Sequence, residues 1–269
     1  IRHNAICLFG FGLKILLMRY YIISGEESGD MHAANLVAEI KKKDENSEIR
    51  AWGGDKLKEQ GAIIVKHIKD LAFMGFSEVI KNLPTILKNI SFCKKDILDF
   101  QPDALILVDY PAFNFRIVKF AKQNGIKVFY YISPQIWAWK KSRIKQIRKN
   151  VDKMFVILPF EKDYYNSNNF EVDFVGHPLL DEIAKDNFSF SLQTNKPIIA
   201  LLPGSRKQEI SKILPQMLGV VNDFPDYQFV VATTNSIEEE FYKNIIANNN
   251  VLLAKNETYG LLKNAKAAL

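Results

Sequence analysis

The group in this chain best placed for chemistry is a carboxylate that closes an apolar strand. Asp109 follows the aliphatic run Ala104–Val108 and precedes Tyr110-Pro111. The carboxyl end of a buried strand is where open α/β sheets bind ligands. Partial burial there would raise the pKa of Asp109 and suit it to act as a general base, whereas a plainer role would be to cap the next helix or pair within its loop. Asn114 either holds a substrate hydroxyl or caps a helix over 115–124. A second loop, GEESGD at 25–30, follows the apolar residues Tyr21, Ile22 and Ile23. Gly25 and Gly29 permit a tight turn, and Ser28 or Asp30 can cap a helix beginning at Met31. The carboxylates Glu26, Glu27 and Asp30 would repel a phosphate from that helix N-terminus, so the loop suits hydroxyl groups. A third loop, LLPGSR at 201–206, again joins a strand to a helix. Gly204 lets the backbone turn, Ser205 and the first helical N–H groups can donate to an anion, and Arg206 offers a planar fork for phosphate. An ordinary turn carrying a surface arginine fits the same residues.

Three further segments bear on binding. SPQIWAW at 133–139 brings two tryptophans to a strand end, where they either line a groove or pack beneath the loop. In KKSRIKQIRKNV at 140–151, a helix would put Ile144, Ile147 and Val151 on one face and Lys141, Lys145, Arg148 and Lys149 on the other. Six cations with no acid among them make either a solvated face or a face for an anionic membrane; nucleic acid is disfavoured, because no aromatic platform is interleaved with the charges. Apolar residues at 73, 76, 80, 83, 87 and 90 keep helical spacing, with Pro84 as an expected kink or break. They pack against a sheet, or else Phe73, Met74, Phe76, Ile80 and Leu83 form a surface for acyl chains or bilayer. GHP at 176–178 closes another strand, and His177 there either stiffens a turn or touches a ligand.

The elements that must position these groups alternate along the chain. Strands are expected at 19–24, 48–52, 104–109, 127–132, 154–158 and 173–175, with helices near 31–43, 78–90, 114–124 and 141–149. Buried strands separated by amphipathic helices imply a parallel sheet covered on both faces. The polar stretch DNFSFSLQTNK at 186–196 reads as a linker. Beyond it come strands at 198–202, 227–232 and 251–254, helices at 208–221, 237–248 and 259–266, and the opening of another strand at 267–269. The division is therefore 18–186 and 187–269, two similar nucleotide-binding folds expected to face each other, the second incomplete. Residues 1–17 lack an initial Met and read as an upstream extension, with Met18 as the natural start. The 269 residues carry 36 Lys and Arg against 30 Asp and Glu, and this excess of 6 positive charges suits an anionic partner. Two cysteines and four scattered histidines supply neither a disulfide framework nor metal-ligand spacing.

Together, GEESGD (25–30), FMG (73–75), VDYPAFN (108–114), SPQIWAW (133–139), LPFE (158–161), GHP (176–178) and LPGSR (202–206) give a chain that resembles the lipid-A-disaccharide synthases from Met18 onward. One departure is Glu27, where the family motif carries Ala. The resemblance implies a GT-B glycosyltransferase fold, two facing Rossmann-like domains with the first on the acceptor side. It implies an inverting transfer from UDP-2,3-diacylglucosamine to 2,3-diacylglucosamine 1-phosphate, giving a β-1,6 disaccharide and UDP. Neither metal nor cofactor is expected. By carry-over, Asp109 looks like the general base, Glu26, Ser28, Gly29 and Asp30 like acceptor-site residues beside Asn114, and Gly204, Ser205 and Arg206 like part of the UDP site. Glu26 and Asp30 stay open as rival proton acceptors. The resemblance also implies a cytoplasmic protein, peripheral on the inner leaflet of the inner membrane and contributing to the Gram-negative outer membrane; oligomerisation is left open. Because the family's later donor-binding residues fall beyond Leu269, weak nucleotide binding and poor turnover are expected of these residues alone. A nucleotide-sugar epimerase or a non-catalytic binding module of the same fold are the alternatives.

Overall fold

The computed structural model describes residues 17–71, 83–184 and 188–269, which divide into two compact units, Ile1–Pro178 and Leu179–Leu269. The extension at 1–16, the proposed acyl-chain residues Phe73, Met74, Phe76 and Ile80, and the side chain of Leu83 lie outside the described residues.

The first unit is built on a seven-stranded parallel sheet of order β3-β2-β1-β4-β5-β6-β7. Its strands are β1 (Arg19–Ile23), β2 (Glu48–Gly53), β3 (Ile63–His67), β4 (Ala104–Val108), β5 (Lys127–Tyr131), β6 (Lys153–Val156) and β7 (Asp173–Phe174). The helices are α1 (Glu27–Lys43), α2 (Asp55–Glu59), α3 (Leu83–Phe100), α4 (Pro111–Gln123), α5 (Ile136–Trp139), α6 (Ile144–Asn150) and α7 (Pro159–Ser167). Period-two alternation of side chains explains why both sheet faces are covered. Tyr21 and Ile23 of β1 enter one core with Cys93, Ile97 and Phe100 of α3, while Ile22 enters another with Ala33, Ala34 and Val37 of α1. The central strand β4 is buried at all five positions, as a strand covered on both sides must be.

The first core is fixed by a polar cluster. Tyr21 Oη donates to Asp96 Oδ2 at 2.7 Å, and Trp52 Nε1 donates to Tyr21 Oη at 2.9 Å. Arg50 reaches the same carboxylate with two N–H groups, at 3.0 and 2.5 Å. These bonds tie β1 and β2 to α3, and burial with the adjoining Asp96 drives the Tyr21 hydroxyl far above its usual pKa.

The second unit repeats the plan with a four-stranded parallel sheet, β10-β9-β8-β11. It contains α8 (Leu179–Ala184), β8 (Ile198–Leu201), α9 (Lys207–Leu218), β9 (Gln228–Thr233), α10 (Glu239–Ile246), β10 (Val251–Lys255), α11 (Thr258–Asn264) and β11 (Ala265–Ala268). Ile199 and Leu201 face Ile210, Leu214 and Tyr242, whereas Ile198 and Ala200 face the core of Leu261.

Several elements differ from the sequence expectation, among them the helices α2 and α7, which were not foreseen. β3 was not foreseen, although Ile63, Ile64 and Val65 form a short apolar run: it is an edge strand with Ile63 61% exposed and an irregular register against β2. Helix α3 runs ten residues past Ile90, and Pro84 falls in its first described turn. The basic segment begins as a 3-10 turn at Lys141–Arg143 before α6.

Candidate active site

Asp109 stands where β4 ends, half-buried, with the backbone turned into the left-handed region. Its φ is 46°, and Tyr110 follows with φ 48° and ψ 51°. Such angles are tolerated by aspartate but unfavourable for tyrosine, and each costs about 1–3 kcal/mol unless surrounding structure compensates. Two buried side chains grip the strained peptide. Asn114 Nδ2 donates to the Asp109 carbonyl at 2.5 Å, and Tyr130 Oη donates to the same oxygen at 2.8 Å. Both residues are fully buried. The Tyr110 ring stacks on Phe113 at 5.5 Å and lies against Gly25, where a Cβ would come within 2.2 Å of it. Gly25 is therefore required by this ring, in addition to shaping its own turn.

The electrostatics at Asp109 follow from this placement. Burial raises its pKa first, the negative charge of Glu26 raises it further, and the Tyr110 N–H opposes both. Glu26 is half-buried at the N-cap of α1 and makes no side-chain capping bond. Ser28 is exposed in the first turn, and Gly29 is buried beside it. Asp109, Glu26 and Gly25 thus share the carboxyl edge of two adjacent strands, β1 and β4.

Two sequence assignments are corrected. Asp30 is neither the cap of α1 nor open to substrate: it is 2% exposed and accepts from the backbone N–H groups of Gly54 (2.6 Å), Lys56 (3.1 Å) and Leu57 (3.4 Å). It anchors the start of α2 to α1. Asn114 is not an N-cap, since α4 starts at Pro111, and complete burial removes it from contact with a substrate hydroxyl.

A second buried carboxylate, missed as a site residue, shapes the tryptophan loop. Glu161 is 2% exposed and accepts from Ser133 Oγ (2.5 Å), Trp137 Nε1 (3.3 Å), Ile157 N (3.3 Å) and Leu158 N (3.0 Å). It binds the loop after β5 to the first turn of α7. Ile132, at the head of that loop, is also left-handed, with φ 63°. Trp137 packs edge-on against Phe160, while Trp139 is 62% exposed beneath Lys140 and Arg143. Lys141, Lys145, Arg148 and Lys149 are exposed, and Ile147 and Val151 are buried. Arg143 instead lies 4.6 Å over the Phe115 ring. His177 is half-buried after Gly176, whose φ is +82°.

In the second unit, the turn after β8 carries Gly204, Ser205 and Arg206. Gly204 has φ +101° and sits against Glu209, an arrangement only glycine takes without strain. Gly204 and Ser205 are exposed. Arg206 is the N-cap of α9 and meets Glu209 at 3.4 Å, leaving its guanidinium within reach of solvent at the helix N-terminus. Among the described residues no group of three or more His, Cys, Asp and Glu side chains converges as a metal site, and no helix is long and apolar enough to cross a membrane.

Solved structures similar to this chain define its class. UDP-GlcNAc 2-epimerase from Neisseria meningitidis, bound to UDP-GlcNAc, aligns with TM-score 0.64 at 15% identity, covering 93% of this chain and 77% of that one. CalG4, the calicheamicin glycosyltransferase, aligns with TM-score 0.53 at 13% identity, covering 94% and 75%. The fold is of the GT-B class shared by such glycosyltransferases and epimerases. Sequence narrows the class to one family: the profile of the lipid-A-disaccharide synthetases matches residues 20–269, and the chain belongs to that family. Lipid-A-disaccharide synthase 1 of Legionella pneumophila (strain Philadelphia 1) is 43% identical over 244 residues, 87% of this chain and 64% of that protein. Lipid-A-disaccharide synthase of Syntrophus aciditrophicus is 39% identical over 261 residues, 92% of this chain and 68% of that protein. The chain thus spans about two thirds of the length of these relatives.

Proposed function

We propose that this chain carries out inverting glycosyl transfer in lipid A synthesis. UDP-2,3-diacylglucosamine is the donor and 2,3-diacylglucosamine 1-phosphate the acceptor. The acceptor hydroxyl oxygen attacks the anomeric carbon as its proton passes to Asp109. The bond from that carbon to the diphosphate oxygen breaks, and UDP leaves with the electron pair. Arg206, Ser205 and the first N–H groups of α9 receive the developing charge on the diphosphate. Glu26 and Ser28 meet the acceptor sugar.

The observation that carries this reading is the Asp109 carboxylate, held half-buried at a strand end with its pKa raised, in a chain of this family. A base must be ionised yet basic enough to take the proton, and a carboxylate moved upward meets both needs. The exposed cations of the 141–149 segment, above buried Ile147, support peripheral attachment to the anionic inner leaflet of a cytoplasmic membrane.

Assay of Asp109→Asn with the two diacylated sugars tests the chemistry. The rate should fall about 100- to 10,000-fold while binding of the UDP-sugar persists. An unchanged rate would remove Asp109 as the base. Conversion of the UDP-sugar to an epimer without acceptor would favour the alternative chemistry of the fold. The membrane reading predicts sedimentation with vesicles containing anionic lipid, reduced by salt and by charge reversal at Lys145 and Arg148.

A further inference from the structure

We propose that Asn114 and Tyr130 are positioning residues, which act by holding the Asp109–Tyr110 peptide in its left-handed conformation and so aim the Asp109 carboxylate. The inference rests on the reading of Asp109 as the base, and it assigns work to two side chains that cannot touch substrate.

The argument starts from the backbone. Two successive non-glycine residues with φ 46° and 48° will relax to an extended or helical conformation unless something prevents it. Relaxation would swing the Asp109 side chain, because rotation about its backbone carries the Cα–Cβ bond with it. The Asp109 carbonyl is the handle by which rotation is resisted. It accepts from Asn114 Nδ2 and from Tyr130 Oη, so both lone pairs are engaged. The two donors come from different elements, helix α4 and strand β5 of the sheet, which fixes the carbonyl against a rigid frame. Tyr130 is fully buried between Phe115 and the sheet, with no freedom to follow a moving loop. Asn114 makes a further sacrifice: its Oδ1 is buried with no hydrogen-bond partner. An apolar residue would fill the same space without leaving a buried acceptor unpaired, so the amide is explained by what its nitrogen holds. Burial drives the Tyr130 hydroxyl well above its usual pKa, which keeps it a donor at every pH at which the protein is folded.

Tyr130→Phe removes one donor and nothing else. We expect at least a 10-fold fall in kcat, little change in KM for the UDP-sugar, and a urea midpoint close to that of the parent. Asn114→Ala should do the same, and the two together should exceed either alone. The decisive measurement is Tyr130→Phe in the Asp109→Asn background. If Tyr130 acts through the base, it has nothing left to aim, and the residual rate should not fall further. An equal loss in both backgrounds would overturn the inference and leave the base assignment standing. A rise in KM with kcat unchanged would overturn it as well. Full activity of Asp109→Asn would instead remove the functional reading, and this inference with it. Should Asn114→Ala fail to fold, the Tyr130→Phe pair decides the matter alone.

Discussion

Two carboxylates within one electrostatic neighbourhood set the pH behaviour of the site. Glu26 raises the pKa of Asp109, so Glu26→Gln should move the acidic limb of the rate profile to lower pH. A limb that stays in place would mean that the two groups do not communicate. The same shift has a consequence for stability. A carboxyl whose folded pKa lies above its unfolded value favours folding while protonated; that contribution is complete below the unfolded pKa and is lost as pH rises through the folded one. At neutral pH the buried negative charge is a net burden. Asp109→Asn should therefore raise the urea midpoint at pH 7 even as it slows turnover, and the gain should vanish in acid. The place of Asp109 at a strand end was legible from sequence because a strand, a turn and a helix surround it in order. The true role of Asp30 was not, because local spacing marks it as a cap, while the N–H groups it serves lie 24 to 27 residues away. Tyr130 escaped for the same reason, whereas Glu161 had a local signal in its bonds to the backbone N–H groups of Ile157 and Leu158 at the start of α7.

At the scale of elements, buried polar groups act as fasteners. Glu161 joins the loop after β5 to α7, Asp30 joins α1 to α2, and Asp96 joins α3 to β1 and β2. Loss of Asp96 would strand both the Tyr21 hydroxyl and the Arg50 guanidinium. Asp96→Ala should cost about 3 kcal/mol, the low end for removing one partner of a buried pair, because Arg50 retains some contact with water. Each unit has its own cores, so calorimetry should resolve two transitions, of which Asp96→Ala lowers only that of the first unit. A uniform shift of both would contradict this. The buried strands were readable as apolar runs; β3 has such a run in Ile63, Ile64 and Val65 but was passed over, and its edge position leaves Ile63 exposed and the other two half-buried. The stripe Ile90, Cys93, Ile97 and Phe100 continues at helical spacing beyond the expected end at Ile90.

For the molecule as a whole, the governing fact is that every strand pairing in both sheets is parallel. Each sheet consequently has a polarity, and Asp109, Glu26, Ser133 and Arg206 all follow strands rather than precede them. The turns feeding into the strands carry no such duty. Asn124 and Gly125, entering β5, are exposed, and Gly125 has nothing within 4 Å of where a Cβ would stand. That helix-to-strand turn is spare surface: a fluorophore, an affinity handle or a short peptide grafted there should leave Asp109 and its surroundings undisturbed, and offers a way to watch or immobilise the protein.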